Sequence, residues 1–127
     1  MLKKVKFELR GETLELSALS ALDYLDYVEY LNSLEKPAPV AESDTEQELN
    51  SKLNKITRNN MMAHSRLIAA SLSYASEKSI EELQKEVLTT CTQADIFRVL
   101  EAVQDVCEFP KAEQGESEPS DGDEKNA

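Results

Sequence analysis

Residues 43–75 read SDTEQELNSKLNKITRNNMMAHSRLIAASLSYA, and this stretch decides the fold. Leu49, Leu53, Ile56, Asn60, Ala63, Leu67, Ala70 and Tyr74 alternate steps of four and three, the spacing of an a/d seam with one polar member. Ser43 followed by Glu46 has the spacing of a capping box, in which each side chain satisfies the other residue's free amide. A helix is therefore expected over 44–75, roughly 48 Å long at 1.5 Å per residue. One small domain cannot cover such a helix along its whole length. The pattern predicts either a break near Arg58-Asn59-Asn60 or packing against another copy. Asn60 either sets register between copies or faces water where the helix leaves the core.

Towards the amino terminus the period changes. Val5, Phe7 and Leu9 alternate, Arg10-Gly11-Glu12 reads as a turn, and Leu14 and Leu16 resume the period of two, which predicts a short β-hairpin. Two strands alone are marginal in water, so the apolar face must lie on a helix or pair with another subunit. From Ser17 the period becomes helical, with Leu22, Leu25, Val28 and Leu31 expected inward and Asp23, Asp26 and Glu29 opposite. Tyr24, Tyr27 and Tyr30 widen the apolar sector, either as a core edge with wet hydroxyls or as a binding surface. The helix should end near Glu35, because Lys36-Pro37-Ala38-Pro39 cannot continue it.

Beyond the long helix, Ser79 and Glu82 predict a second capping box and a short helix to about Leu88, with Ile80, Leu83 and Val87 inward. Thr92 is expected to cap a last helix whose stripe is Ile96, Val99, Leu100, Val103 and Val106 or Cys107, with Pro110 as its stop. The segment 111–127 is rich in Glu, Asp, Ser, Gly and Pro and carries no apolar residue larger than alanine, the composition of disorder. The fold class is thus mainly α: a small helical domain over 1–109 with a short N-terminal β-hairpin, then an acidic C-terminal tail over 110–127 expected to be disordered.

Composition narrows the function classes. The 127 residues suffice for one domain with one moderate core, and with no Trp and 6% aromatic residues that core must be built from Leu, Val, Ile and Ala. A net charge of −11 argues against nucleic acid as the main partner, since phosphate binding needs concentrated Lys and Arg. No apolar run approaches the roughly 18 residues of a membrane span, and Met1 to Arg10 lacks the apolar centre of a signal peptide, so a cytoplasmic protein is expected.

Catalytic chemistry finds little support. Cys91 and Cys107 are too far apart for a CxxC site and fall among apolar residues, as buried structural thiols would. His64 is the single histidine, with no His or Cys at metal-ligand spacing, and its mid-helix position suits a surface or edge residue better than a general base. Gly11, Gly115 and Gly122 do not cluster into a phosphate loop. Neighbouring carboxylates such as Glu81 and Glu82, or Asp23 and Asp26, are expected on solvent faces. No catalytic residue, cofactor or metal ligand is assigned.

Two segments carry a resemblance. Leu16-Ser17-Ala18-Leu19-Ser20-Ala21-Leu22 follows the strand-like run Phe7-Glu8-Leu9-Arg10-Gly11-Glu12-Thr13-Leu14, and Glu86-Val87-Leu88-Thr89-Thr90 precedes the final helix and the acidic tail. In these, in length and in the order of parts, the chain resembles the short tail assembly chaperones of long-tailed phages, the lambda protein G family; the segment 35–60 has no matching motif. The resemblance implies a non-enzymatic protein of the host cytoplasm that binds the tape-measure protein and is absent from the mature virion. It also implies a programmed frameshift that appends an extension recruiting the major tail protein to a minority of copies. Self-association is a further expectation. The candidate partner-binding residues are Tyr24, Tyr27 and Tyr30 on one helix and Leu49, Leu53 and Ile56 on the long one. An oligomeric acidic adaptor and a minor structural tail protein are the alternatives.

Overall fold

Arg10 and Gly11 both adopt positive φ, 51° and 86°, and so close a two-residue turn between β1 (Lys4–Leu9) and β2 (Glu12–Ser17). Positive φ at both central positions gives the turn the twist that hairpin strands require. Val5 pairs with Leu16 and Phe7 with Leu14, so the alternating apolar residues share one face as the sequence predicts. The structure, a computed structural model, describes residues 1–109. The tail expected over 110–127 lies outside the described residues.

Four helices follow: α1 (Ala21–Ser33), α2 (Glu46–Ser73), α3 (Ile80–Thr90) and α4 (Gln93–Cys107). Ser20 caps α1, three residues later than the period change suggested, because 18–20 are needed to turn the chain off β2. The cap of α2 corrects the sequence reading. Thr45 and Glu48 form the box, not Ser43 and Glu46. Both pairs have the right spacing, but the Asp44 carboxylate accepts from the Ala41 amide and from Lys52, which holds 41–44 as a turn and moves the helix start to Glu46. The Ser79–Glu82 box opens α3 as expected, and that helix continues to Thr90. Thr92 caps α4, with Asp95 as the reciprocal partner. The last helix stops before Pro110, where Glu108 takes a left-handed conformation and the Phe109 amide donates to the Gln104 carbonyl.

No break occurs at Arg58-Asn59-Asn60. α2 is continuous for 28 residues, and the Asn59 side chain there donates to the Glu35 carbonyl at 2.8 Å, outside the helical ladder. The core gathers around the second half of α2: Leu67 and Ile68 meet Leu16 of β2, Val87 of α3, and Ile96, Val99, Leu100 and Val103 of α4. The hairpin packs on α4 and α2, which answers its need for a cover.

Polar groups fix these joints. The Ser71 hydroxyl donates to the Ser17 carbonyl at 2.8 Å and accepts from the Ser17 amide at 2.9 Å, so one side chain satisfies both backbone groups of a buried strand residue. The Gln84 amide donates to the Tyr30 hydroxyl, the Met62 carbonyl and Ser65, tying α1, α2 and α3 together. Asp95, with 1% of its side chain exposed, accepts from Arg10 at 2.8 Å and from Arg98. Its carboxyl is held well below the usual range, chiefly by the Arg10 hydrogen bond, against the opposing effect of burial. The strained turn residue is thereby anchored to the last helix.

Candidate interaction surfaces

The seam on α2 divides at Asn60. Leu67 and Ala70 are buried and Tyr74 half-buried, whereas Leu49 is half-exposed, Leu53 is 46% exposed and Ile56 40%. Asn60 is exposed, at the place where the helix leaves the core. The open half is flanked by the connection from α1, which is held mainly by polar contacts. Lys52 donates to the Pro39 carbonyl and to Asp44, and Lys55 pairs with Glu35 at 3.4 Å. Lys36 to Val40 and Ile56, Asn59 and Asn60 line a shallow groove between the two.

The tyrosines divide as well. Tyr27 is largely buried, and burial pushes its hydroxyl up to about 12. Tyr30 is half-buried, its hydroxyl bound to Gln84 and its ring stacked under the Arg66 guanidinium at 4.4 Å. Tyr24 is exposed, with its ring edge-on to Phe109 at 5.5 Å. Of the three, Tyr24 presents the most surface to a partner.

The inward face of α1 differs from the expected one. Leu22 and Leu25 are 67% and 62% exposed, while Tyr27, Tyr30, Leu31 and Leu34 turn towards α2 and α3. Steps of three advance about 300° around a helix, so residues 22, 25, 28 and 31 fan across roughly half its circumference and cannot share one buried face. The helix runs antiparallel to α2, tied at one end by Tyr74, which accepts from the Ser20 amide and donates to Asp23, and at the other by Asn59 and Lys55.

The groups able to do chemistry are scattered. His64 is half-buried against Phe97, ring centroids 5.4 Å apart, with no hydrogen bond among the described residues, and burial lowers its pKa. Cys91 and Cys107 are free thiols and half-buried, short of the full burial their apolar neighbours suggested. Cys91 lines a cavity of about 130 Å³ beneath the hairpin, bounded by Leu9, Leu14, Ile68, Leu83 and Val99. Among the described residues no group of His, Cys, Asp and Glu could hold a metal ion, and no helix is long and apolar enough to cross a membrane.

The described residues thus leave apolar helix surface open on an acidic helical scaffold, where other chains could be met. The chain belongs to the bacteriophage lambda tail assembly chaperone family, protein G, whose family model matches residues 1–126. That is a family of chaperones and not of enzymes. Neither the curated proteins nor the solved structures contain a match to the chain.

Proposed function

We propose that this protein binds apolar helical segments of the tape-measure protein in the host cytoplasm and keeps them soluble until tail tube subunits polymerise around them. The observation that carries the reading is the open half of α2: Leu53 and Ile56 continue a seam whose other half is core, yet they lack a cover. A helix from another chain would complete the seam in the way Leu16, Val87 and the apolar stripe of α4 complete it around Leu67. The net charge of −11 keeps the loaded complex soluble and spaces neighbouring copies.

Residues 1–109 act as the folding unit and 110–127 as an acidic appendage. A frameshifted extension beyond it recruits the major tail protein in a minority of copies, and the chaperone leaves before the virion is complete. Self-association places several copies along one client. Tyr24, Leu49, Leu53 and Ile56 are the contact residues of this reading, with Tyr27 and Tyr30 supporting them from the core edge.

Co-expression with the tape-measure protein of the same genome, followed by size-exclusion chromatography and mass spectrometry of purified virions, tests the reading. Co-elution together with absence from the virion is expected. Presence in stoichiometric amounts in the virion would favour a structural tail protein instead, and elution alone would leave an adaptor for some other chain.

A further inference from the structure

The outward stripe of α1 is unexplained by the surfaces above. Leu22, Leu25, Asp26 and Glu29 follow one another at steps of three, one and three and lie on one face of the helix. At its edge the stripe opens into a groove of about 550 Å³ between α1 and the start of α3, floored by Tyr30 and Ile80 and bordered by Asp26, Glu29 and Glu81. Arg66 also reaches this groove, but its guanidinium is already engaged by Tyr30, Gln84 and Glu81. Asp26 and Glu29 make no ion pair among the described residues, and α1 contains no basic residue at all.

We infer that this stripe and groove dock an amphipathic helix of a partner chain, its apolar ridge lying over Leu22 and Leu25 and its lysines or arginines facing Asp26 and Glu29. Two exposed leucines with acidic neighbours and no cation of their own recognise that combination and reject an acidic helix, because like charges would be brought together. The same argument disfavours the two occupants closest at hand. A second copy would set α1 against an equally acidic α1, and residues 110–127 carry six acids against two bases. The inference deepens the chaperone reading by giving the chemistry of a segment it would take, and it rests on that reading only for which chain supplies the helix.

The test uses the full chain and two synthetic helices as long as α1: one with a leucine ridge flanked by lysines, and a twin with glutamates in place of the lysines. The lysine peptide is expected to bind with micromolar affinity that weakens as salt is raised, and the glutamate twin is expected not to bind. L22S/L25S should raise the Kd roughly tenfold or more, as the loss of two apolar contacts implies. D26K/E29K should do the same and allow the glutamate twin to bind. Leu2→Ser, at an exposed leucine outside both surfaces, should leave the Kd unchanged. All five positions are exposed or at the groove rim, and thermal melts of each variant confirm that it folds.

Equal binding of the two peptides, binding of neither, or indifference to the α1 substitutions would overturn the inference. So would a change in the sedimentation of L22S/L25S alone, which would assign the stripe to a second copy. No tape-measure protein enters this titration, so its failure and the failure of the chaperone reading are separate results.

Discussion

Replacing Ser71 by alanine removes one hydroxyl and leaves two backbone groups without partners. Ser71 and Ser17 are both almost wholly buried, so water cannot reach the Ser17 amide or carbonyl to replace the lost bonds. An unsatisfied buried polar group costs about 1–3 kcal/mol. Two of them, less the few tenths that alanine gains over serine in a helix, give a loss of about 1.5–5.5 kcal/mol. For a domain near 100 residues each kcal/mol moves Tm by about 4–8 °C, so a fall of at least ~6 °C is expected in a calorimetric or circular-dichroism melt.

Ser65→Ala is the matched control, since Ser65 is equally buried on the same helix. Its hydroxyl serves the Met62 carbonyl and Gln84, and Gln84 keeps Tyr30 and Met62 as acceptors. The expected change there is within about 1 kcal/mol, of the order of one ordinary hydrogen bond. Equal melting shifts for the two variants would refute the argument that the hydroxyl of Ser71 holds the end of β2 on α2.

Three further outcomes are expected. Leu67→Ala, in the buried half of the α2 seam, should cost about 2–5 kcal/mol in urea titration, whereas Leu53→Ala in the open half should stay within about 0.5 kcal/mol. The folded carboxyl of Asp95 is depressed, so its contribution to stability is fully present above the unfolded value near 3.9 and is lost as pH falls towards the folded one. The gap in urea midpoint between the wild type and Asp95→Asn should therefore be widest above about pH 5 and close progressively below pH 4. His64 should titrate below 6.5 in an NMR pH series, and Phe97→Ala, which opens its environment to water, should bring it back towards that value.

Local signals written within a few residues of one another were legible. The hairpin followed from alternation and the turn read at Arg10-Gly11-Glu12, of which Glu12 already belongs to β2, the cap at Ser79 from a hydroxyl and an acid three residues apart, and the cap at Thr92 from its place just ahead of the last apolar stripe. The cap of α2 was not, because Ser43 and Thr45 offer the same spacing and only the tertiary pull of Lys52 on Asp44 decides between them. The orientation of α1 departs from the expected one because steps of three do not keep to one face. The helix turns by about 100° per residue, so Leu22 and Leu25 rotate outward as Tyr27, Leu31 and Leu34 turn inward.

The polar member Asn60 marks the place where the α2 seam leaves the core, one of the two readings open in the sequence, and it is exposed there because the covering elements end. Of the candidate site residues, Leu53, Ile56 and Tyr24 are exposed, Leu49 is partly so, and Tyr27 and Tyr30 serve the interior as well. Buried Asp95 was missed as a joint, since its partner Arg10 lies 85 residues away in the chain.

The most direct test of masking by the open half of α2 is the soluble fraction of the tape-measure protein when it is co-expressed with the wild type or with L53S/I56S. The account predicts that the wild type keeps the client in the supernatant, and that the double variant, folded by its own melt, lets it sediment as it does when expressed alone. Equal solubility with both would contradict the assignment of that surface, and sedimentation of the client even with the wild type would contradict the chaperone reading itself.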